Sequence, residues 1–122
     1  MPTKILIADD QDFVRKSIRS MLVNKTAWQV CEAENGKVAV DVTKAKQPDV
    51  AVLDIVMPVM GGLGAAYEIA KVAPDTKIVF ISSHYTPEQA SSLTKLFGAA
   101  RFLPKSEIGR ELIPTIKNLL LV

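Results

Sequence analysis

Short apolar runs alternate with amphipathic stretches along the chain. The runs Lys4–Ala8, Trp28–Ala33, Val50–Leu53, Lys77–Ile81 and Ala100–Leu103 are rich in Val, Ile and Leu and mostly do not alternate with polar residues. That pattern predicts strands buried on both faces. Between them, apolar residues recur at helical spacing. Phe13, Val14, Ile18, Met21 and Leu22 form a first stripe, and Val38, Val42 and Ala45 a second. Leu63, Ala66, Tyr67 and Ala70 form a third, and Ala90, Leu93, Leu96 and Phe97 a fourth. Leu112, Ile113, Ile116, Leu119 and Leu120 complete the set.

The residues between the periodic stretches fit this parse. Thr86-Pro87-Glu88-Gln89 reads as an N-cap, a first-turn proline and a capping-box partner. Gly98 suits the left-handed stop of that helix, and Asn35-Gly36 marks the turn into the second helix. Pro114 falls just past the first turn of the last helix, where it kinks the helix or shifts its start.

Five β-α units imply a doubly wound α/β domain, residues 1–122, with helices on both faces of a five-stranded parallel sheet. In the flavodoxin-like strand order 2-1-3-4-5, strands one and three are neighbours where the order reverses. Functional groups collect there, beyond the carboxyl ends of the strands. Polar residues occupy those ends: Asp9-Asp10 after the first run, Asp54 after the third, Ser82 after the fourth and Lys105 after the fifth. Asp9, Asp10 and Asp54 are therefore expected to converge.

Composition narrows the class. A chain of 122 residues with 48% hydrophobic residues is long enough and apolar enough for one packed domain. Its apolar runs are too short to span a membrane, and Met1-Pro2-Thr3-Lys4 runs directly into the first strand, so no signal peptide is expected. The single cysteine, Cys31, cannot form an internal disulfide and reads as a small core residue in a reducing cytoplasm. Trp28 reads as a partly buried anchor. A net charge of +2 falls short of a nucleic-acid footprint. Arg15, Lys16 and Arg19 cluster on one helix, either as a solvated face or as a partner-docking patch.

Three carboxylates within a few ångströms need a counter-charge. A hard divalent cation supplies it, and Mg²⁺ suits a shallow all-oxygen site. One histidine, His84, and one cysteine are too few for a zinc-type cluster. With the metal in place, Asp54 is a candidate nucleophile toward phosphorus. Lys105 is a cationic donor for the carboxylate or a phosphoryl oxygen, and Ser82 a hydroxyl donor. Each residue also has a plainer reading. Asp9-Asp10 can cap the first helix, Ser82 can end a strand, Lys105 can be a surface lysine and Phe102 a core aromatic. Their shared placement at one sheet edge favours the functional set.

Ile7-Ala8-Asp9-Asp10, Ala33-Glu34-Asn35-Gly36, Val52-Leu53-Asp54-Ile55-Val56-Met57-Pro58, Gly62-Leu63, Phe80-Ile81-Ser82-Ser83 and Gly98-Ala99-Ala100-Arg101-Phe102-Leu103-Pro104-Lys105 form an ordered set. In these motifs the chain resembles the receiver (CheY-like) domains of two-component response regulators. The resemblance implies that Asp54 is the phospho-acceptor of a phosphorelay and that Mg²⁺ is held by Asp10, Asp54 and the Val56 backbone carbonyl. Asp9 would act largely through water. It implies that Ser82 and Lys105 bind the phosphoryl group, that Phe102 is the switch residue, and that Thr86 to Leu121 forms the response surface. It implies a sensor histidine kinase or phosphotransfer protein as donor, a downstream effector domain or protein as output, and a phosphorylation-dependent homodimer as one assembly. Direct nucleic-acid or membrane binding is not expected. The domain would assist its own phosphorylation and dephosphorylation without being an enzyme on a separate substrate.

The chain departs from the family pattern at Gly61 (often Asp), Ser83 (usually smaller), Phe102 (often Tyr) and Ser106 (often Pro, with a cis peptide). Val56 and His84 hold positions that flank the attacking water in dephosphorylation, and His84 is the one able to orient it. Three other readings stand beside the stand-alone receiver. The chain is the receiver part of a DNA-binding regulator, a non-phosphorylated interaction module, or an enzyme of similar architecture. An aspartyl-nucleophile phosphatase would want a second acid where Val56 stands, and a flavin site would not carry Asp9-Asp10-Gln11-Asp12 after its first strand.

Overall fold

The computed structural model describes residues 2–98 and 100–122; Met1 and Ala99, the latter part of the quoted motif, lie outside the described residues. Strands and helices alternate: β1 (Lys4–Ala8), α1 (Asp12–Lys25), β2 (Gln29–Ala33), α2 (Gly36–Lys46), β3 (Val50–Asp54) and α3 (Gly62–Val72). They continue with β4 (Lys77–Ser82), α4 (Pro87–Thr94), β5 (Arg101–Pro104) and α5 (Ile108–Leu120). The strands pair in parallel in the order β2-β1-β3-β4-β5, as expected. Boundaries move by a residue. Trp28 precedes β2, while Asp54 and Ser82 belong to the last positions of their strands.

The lack of alternation in the strand runs has a direct cause. Ile5, Ile7, Val50, Val52, Val79 and Ile81 face one core, shared with Ile18 and Leu22 of α1 and Leu112, Ile116 and Leu119 of α5. Leu6, Ala8, Ala51, Leu53 and Phe80 face the other, shared with Ala39 of α2 and Ala65, Ala66 and Ile69 of α3. Both faces of the central strands are covered, so both sets of side chains must be apolar. The edge strands differ: β2 and β5 are only partly buried along most of their length.

Five stripe residues are exposed: Phe13, Ala45, Tyr67, Ala70 and Leu96. Phe13 is 83% exposed, and Arg15 is buried with Ile18 and Leu22 at spacings of three and four. In α2 the buried face is Gly36, Ala39 and Thr43, which leaves Ala45 exposed two positions further round. Tyr67 lies outside the core and instead carries the Lys71 ammonium over its ring at 4.3 Å. Leu96 is exposed because α4 ends at Thr94 and a 3₁₀ turn redirects the chain; Phe97 then meets Phe80 edge-on at 5.4 Å. Trp28 is partly buried, as expected.

The predicted helix starts are present. Thr86 and Gln89 form the capping box, and Asn35 accepts a hydrogen bond from the Val38 amide. Gly98 has the expected positive φ, +65°, but it ends the 3₁₀ turn Lys95–Phe97 instead of α4, and its ψ of −114° is not that of a left-handed helical stop. Pro114 lies inside α5, which runs through it from Ile108. The proline is exposed, so water reaches the Arg110 carbonyl that loses its intrahelical partner. Among the described residues no helix is long and apolar enough to cross a membrane.

Candidate functional site

Parallel pairing of β1 with β3 aligns Ala8 with Leu53, so the residues that follow, Asp9 and Asp54, emerge side by side. Both are buried, at 0% and 3% exposure, whereas Asp10 is exposed. Carboxylate oxygens of the three lie within 4.8 Å of one another. The predicted convergence is observed.

Backbone contacts hold these carboxylates in place. The Gln11 amide donates to Asp9 Oδ1 at 2.9 Å, and the Val56 amide to Asp54 Oδ1 at 3.2 Å. Gly62 sets the turn after β3. A Cβ there would lie 2.3 Å from the Asp54 carbonyl oxygen, so a larger residue would push α3 away from the site. Gly36 is equally confined, with its amide on the Met60 carbonyl at 2.9 Å. Gly61 caps α3 without a side-chain hydrogen bond.

Lys105 follows β5 and reaches inward. Its Nζ lies 2.9 Å from Asp9 Oδ2 and donates to Asp54 Oδ2 and Gln11 Oε1 at 3.0 Å each. The approach to Asp9 is an ionic contact. Asp9 Oδ2 is buried without a hydrogen bond from any described residue. Burial, together with the like charge of Asp9, holds the Asp54 carboxyl above its usual range against the opposing pull of Lys105 and the Val56 amide. Burial alone would lower the Lys105 pKa, but Asp9 and Asp54 outweigh it and raise it.

Ser82 is buried at the end of β4, and its Oγ accepts from the His84 amide at 2.9 Å, leaving its own O–H to donate elsewhere. Ser83 and His84 are exposed, and Val56 is 46% exposed. Phe102, beside Phe80 in register, is half-buried against the α2–α3 core. No described peptide bond is cis, in keeping with Ser106 after Lys105.

Two residues of this region escaped the sequence reading. Gln11, which enters the sequence reading only as part of the segment Asp9-Asp10-Gln11-Asp12, contacts Lys105. Arg15, read as part of a solvated face or docking patch, is buried. It donates through one terminal nitrogen to the Asp9 carbonyl at 2.7 Å and through Nε to Glu32 Oε1 at 2.8 Å, and it pairs with Asp12. Lys16 and Arg19 also reach Glu32, at 3.4 and 3.2 Å. The spacing of Arg15 with Ile18 and Leu22 was the available signal.

Comparison with known proteins agrees with this geometry. The family model for the response regulator receiver domain matches residues 5–117. A protein-glutamate methylesterase/protein-glutamine glutaminase of Methanosarcina mazei is 36% identical over 124 residues, covering 95% of this chain and 35% of the relative. A similarly named protein of Photobacterium profundum is 39% identical over 106 residues, covering 86% and 27%. The chain thus spans about a third of the length of these curated relatives. The response regulator domain of Thermotoga maritima CheB superposes with a TM-score of 0.88 at 25% identity over 100% of this chain and 98% of that one. A CheY-like receiver domain protein from Methanospirillum hungatei, at 23% identity and TM-score 0.89, covers 98% and 94% and shares the fold. Fold, acidic cluster and family match together show that the chain belongs to the response regulator receiver domains of two-component signal transduction.

Proposed function

We propose that residues 1–122 form one receiver domain whose phospho-acceptor is Asp54. The observation that carries this reading is Asp54 itself. It is a buried carboxylate held above its usual range, wedged between a second buried carboxylate and one lysine. Its carboxylate is the nucleophile, and because the phosphoryl group it takes carries more negative charge than the carboxylate alone, Lys105 and a bound divalent cation are the groups that offset the added charge. The Asp54 oxygen attacks phosphorus, a new O–P bond forms, and the donor's leaving group departs with the electrons of its own bond to phosphorus. Lys105 and the Ser82 hydroxyl serve as donors to the phosphoryl oxygens.

Receiver domains bind Mg²⁺ through acidic residues, and this site fits that ion. Its donor set is all oxygen, three carboxylates converge, and Asp9 Oδ2 is buried with no hydrogen bond from a described residue. Asp10, Asp54 and the Val56 carbonyl would hold the metal, with Asp9 largely through water. When bound, the ion offsets the repulsion between carboxylate and phosphoryl group. The domain assists its own phosphorylation and dephosphorylation and is not read as an enzyme on a separate substrate.

The phosphoryl donor is a sensor histidine kinase or phosphotransfer protein, and Phe102 links the site to an output surface from Thr86 to Leu121. The names of the curated relatives make a protein-glutamate methylesterase the effector we infer for a longer protein. They weigh against the DNA-binding alternative. A cytoplasmic location goes with this reading. Acetyl phosphate with Mg²⁺ tests it: the wild type should gain an acid-stable, base-labile phosphate that Asp54→Asn lacks. An equally labelled Asn variant would place the acceptor elsewhere.

A further inference from the structure

Lys105 Nζ is enclosed by three oxygens of the described residues: Asp9 Oδ2 at 2.9 Å, Asp54 Oδ2 at 3.0 Å and Gln11 Oε1 at 3.0 Å. An ammonium has three N–H donors and no more. Two of them are hydrogen-bonded, to Asp54 and Gln11, and the ammonium is also held in ionic contact by Asp9, so a phosphoryl oxygen arriving on Asp54 competes with these three partners for Lys105. The three partners are not equal. Asp9 is a fully buried charge whose Oδ2 has no other partner, so its release would strand that charge. Asp54 is tied to the phosphoryl group it carries. Gln11 is neutral and exposed, and water can satisfy its carbonyl once the ammonium departs.

We propose that Gln11 is the exchangeable partner of Lys105. Its side-chain carbonyl holds the ammonium in the unphosphorylated domain and releases it to a phosphoryl oxygen when Asp54 is modified. Gln11 is well placed for this. Its backbone is pinned at the start of α1, with the amide on Asp9 Oδ1 at 2.9 Å and the carbonyl accepting from the Arg15 amide at 3.0 Å. The side chain can swing away without moving the acidic residues. The exchange trades a bond to a neutral amide for one to an anionic oxygen, which is the stronger acceptor. Gln11 stabilises only the unphosphorylated arrangement, so it is a positioning residue that opposes phosphoryl retention.

This inference rests on Asp54 being the acceptor, and the test separates the two. Beryllium trifluoride, a phosphoryl mimic, is titrated in the presence of Mg²⁺ into wild type, Gln11→Leu, Gln11→Asn and Asp54→Asn. Both Gln11 variants lose the hydrogen bond to Lys105 and should bind the mimic more tightly, by about fivefold, the worth of one modest hydrogen bond. The Gln11 side-chain NH₂ resonances of the wild type should shift as the mimic binds. A merely structural role for Gln11 would weaken binding and lower the melting temperature instead. Unchanged or weaker binding in both variants, or unmoved NH₂ resonances, overturns the exchange. Equal binding by Asp54→Asn overturns the acceptor reading, and the exchange with it.

Discussion

Two clusters of charge sit side by side at the carboxyl end of the sheet, and they are built in opposite ways. Around Glu32 on β2, one carboxylate meets three cations, Arg15, Lys16 and Arg19. Around Asp9 and Asp54, three carboxylates meet one described cation, Lys105. The consequence shows in the acidity of the groups. Arg15, Lys16 and Arg19 outweigh burial and hold Glu32 below the usual carboxylate range, whereas burial and Asp9 hold Asp54 above it. The first cluster is satisfied by its own chain. The second is left rich in carboxylates and under-compensated, which is the condition for taking a cation, and that cation in turn offsets the charge of a phosphoryl group. Arg15 joins them, because it donates to the Asp9 carbonyl while it pairs with Glu32.

Removing that joint breaks the comparison most severely. Arg15→Ala should destabilise the domain by roughly 3 kcal/mol, since it leaves Glu32 and the Asp9 carbonyl without their buried donor. Arg15→Lys should recover only part of this, because a single ammonium cannot reproduce the guanidinium fork. Urea unfolding checks both. A loss below about 0.5 kcal/mol would mean that Arg15 behaves as the solvated residue its sequence context suggested.

How far the sequence revealed all this depends on what each residue had to satisfy. Asp9, Asp54, Ser82 and Lys105 were legible because each ends an apolar run, and parallel strands bring their carboxyl ends to one edge. The repeated β-α units implied a parallel sheet, and the order expected of a flavodoxin-like fold is the one observed. Helix faces were less legible. Phe13, Ala45, Tyr67, Ala70 and Leu96 fit the helical spacing but sit at the margin of a stripe or beyond a helix end, where tertiary packing decides. Gln11 was illegible because it is an exposed polar residue whose partner, Lys105, is distant in sequence. Arg15 carried one local sign, its spacing with Ile18 and Leu22, but its charge and its neighbours Lys16 and Arg19 suggested solvent, and its partner Glu32 is also distant.

Smaller perturbations sharpen the contrast. The acidic cluster should be stabilised by Mg²⁺ and the Glu32 cluster should not. At a metal concentration tenfold above its Kd, the wild type should gain about 1.4 kcal/mol, read as a raised melting temperature. Asp54→Asn should lose most of that gain. A variant that keeps it would place the metal away from Asp54.

Without metal, Asp54→Asn should itself raise stability at neutral pH, on the order of 1 kcal/mol. The sign follows from the raised Asp54 pKa. Relative to the unfolded chain, the folded state favours protonated Asp54, so its contribution is favourable in acid and is lost as pH rises through the folded-state value. The advantage of Asn should therefore shrink as pH falls into the carboxylate range. Glu32 runs the other way. Its depressed pKa gives stability present above the usual carboxylate value and lost as pH falls through the folded-state value. Melting curves of wild type, Asp54→Asn and Glu32→Gln across acidic pH should diverge in these opposite directions, and parallel curves would remove the distinction between the clusters.

The smallest effect is expected where cations are in excess. Lys16 is exposed and reaches Glu32 at 3.4 Å, on an oxygen that Arg15 already holds at 2.8 Å. Lys16→Ala should cost no more than about 0.5 kcal/mol and fade further in high salt. Arg19 reaches the other Glu32 oxygen and also the Val30 carbonyl, so its removal should cost more than that of Lys16. If Lys16→Ala proved as damaging as Arg15→Ala, Glu32 would need all three cations. The cluster would then be balanced rather than over-supplied, and its contrast with the acidic cluster would rest on Asp54 alone.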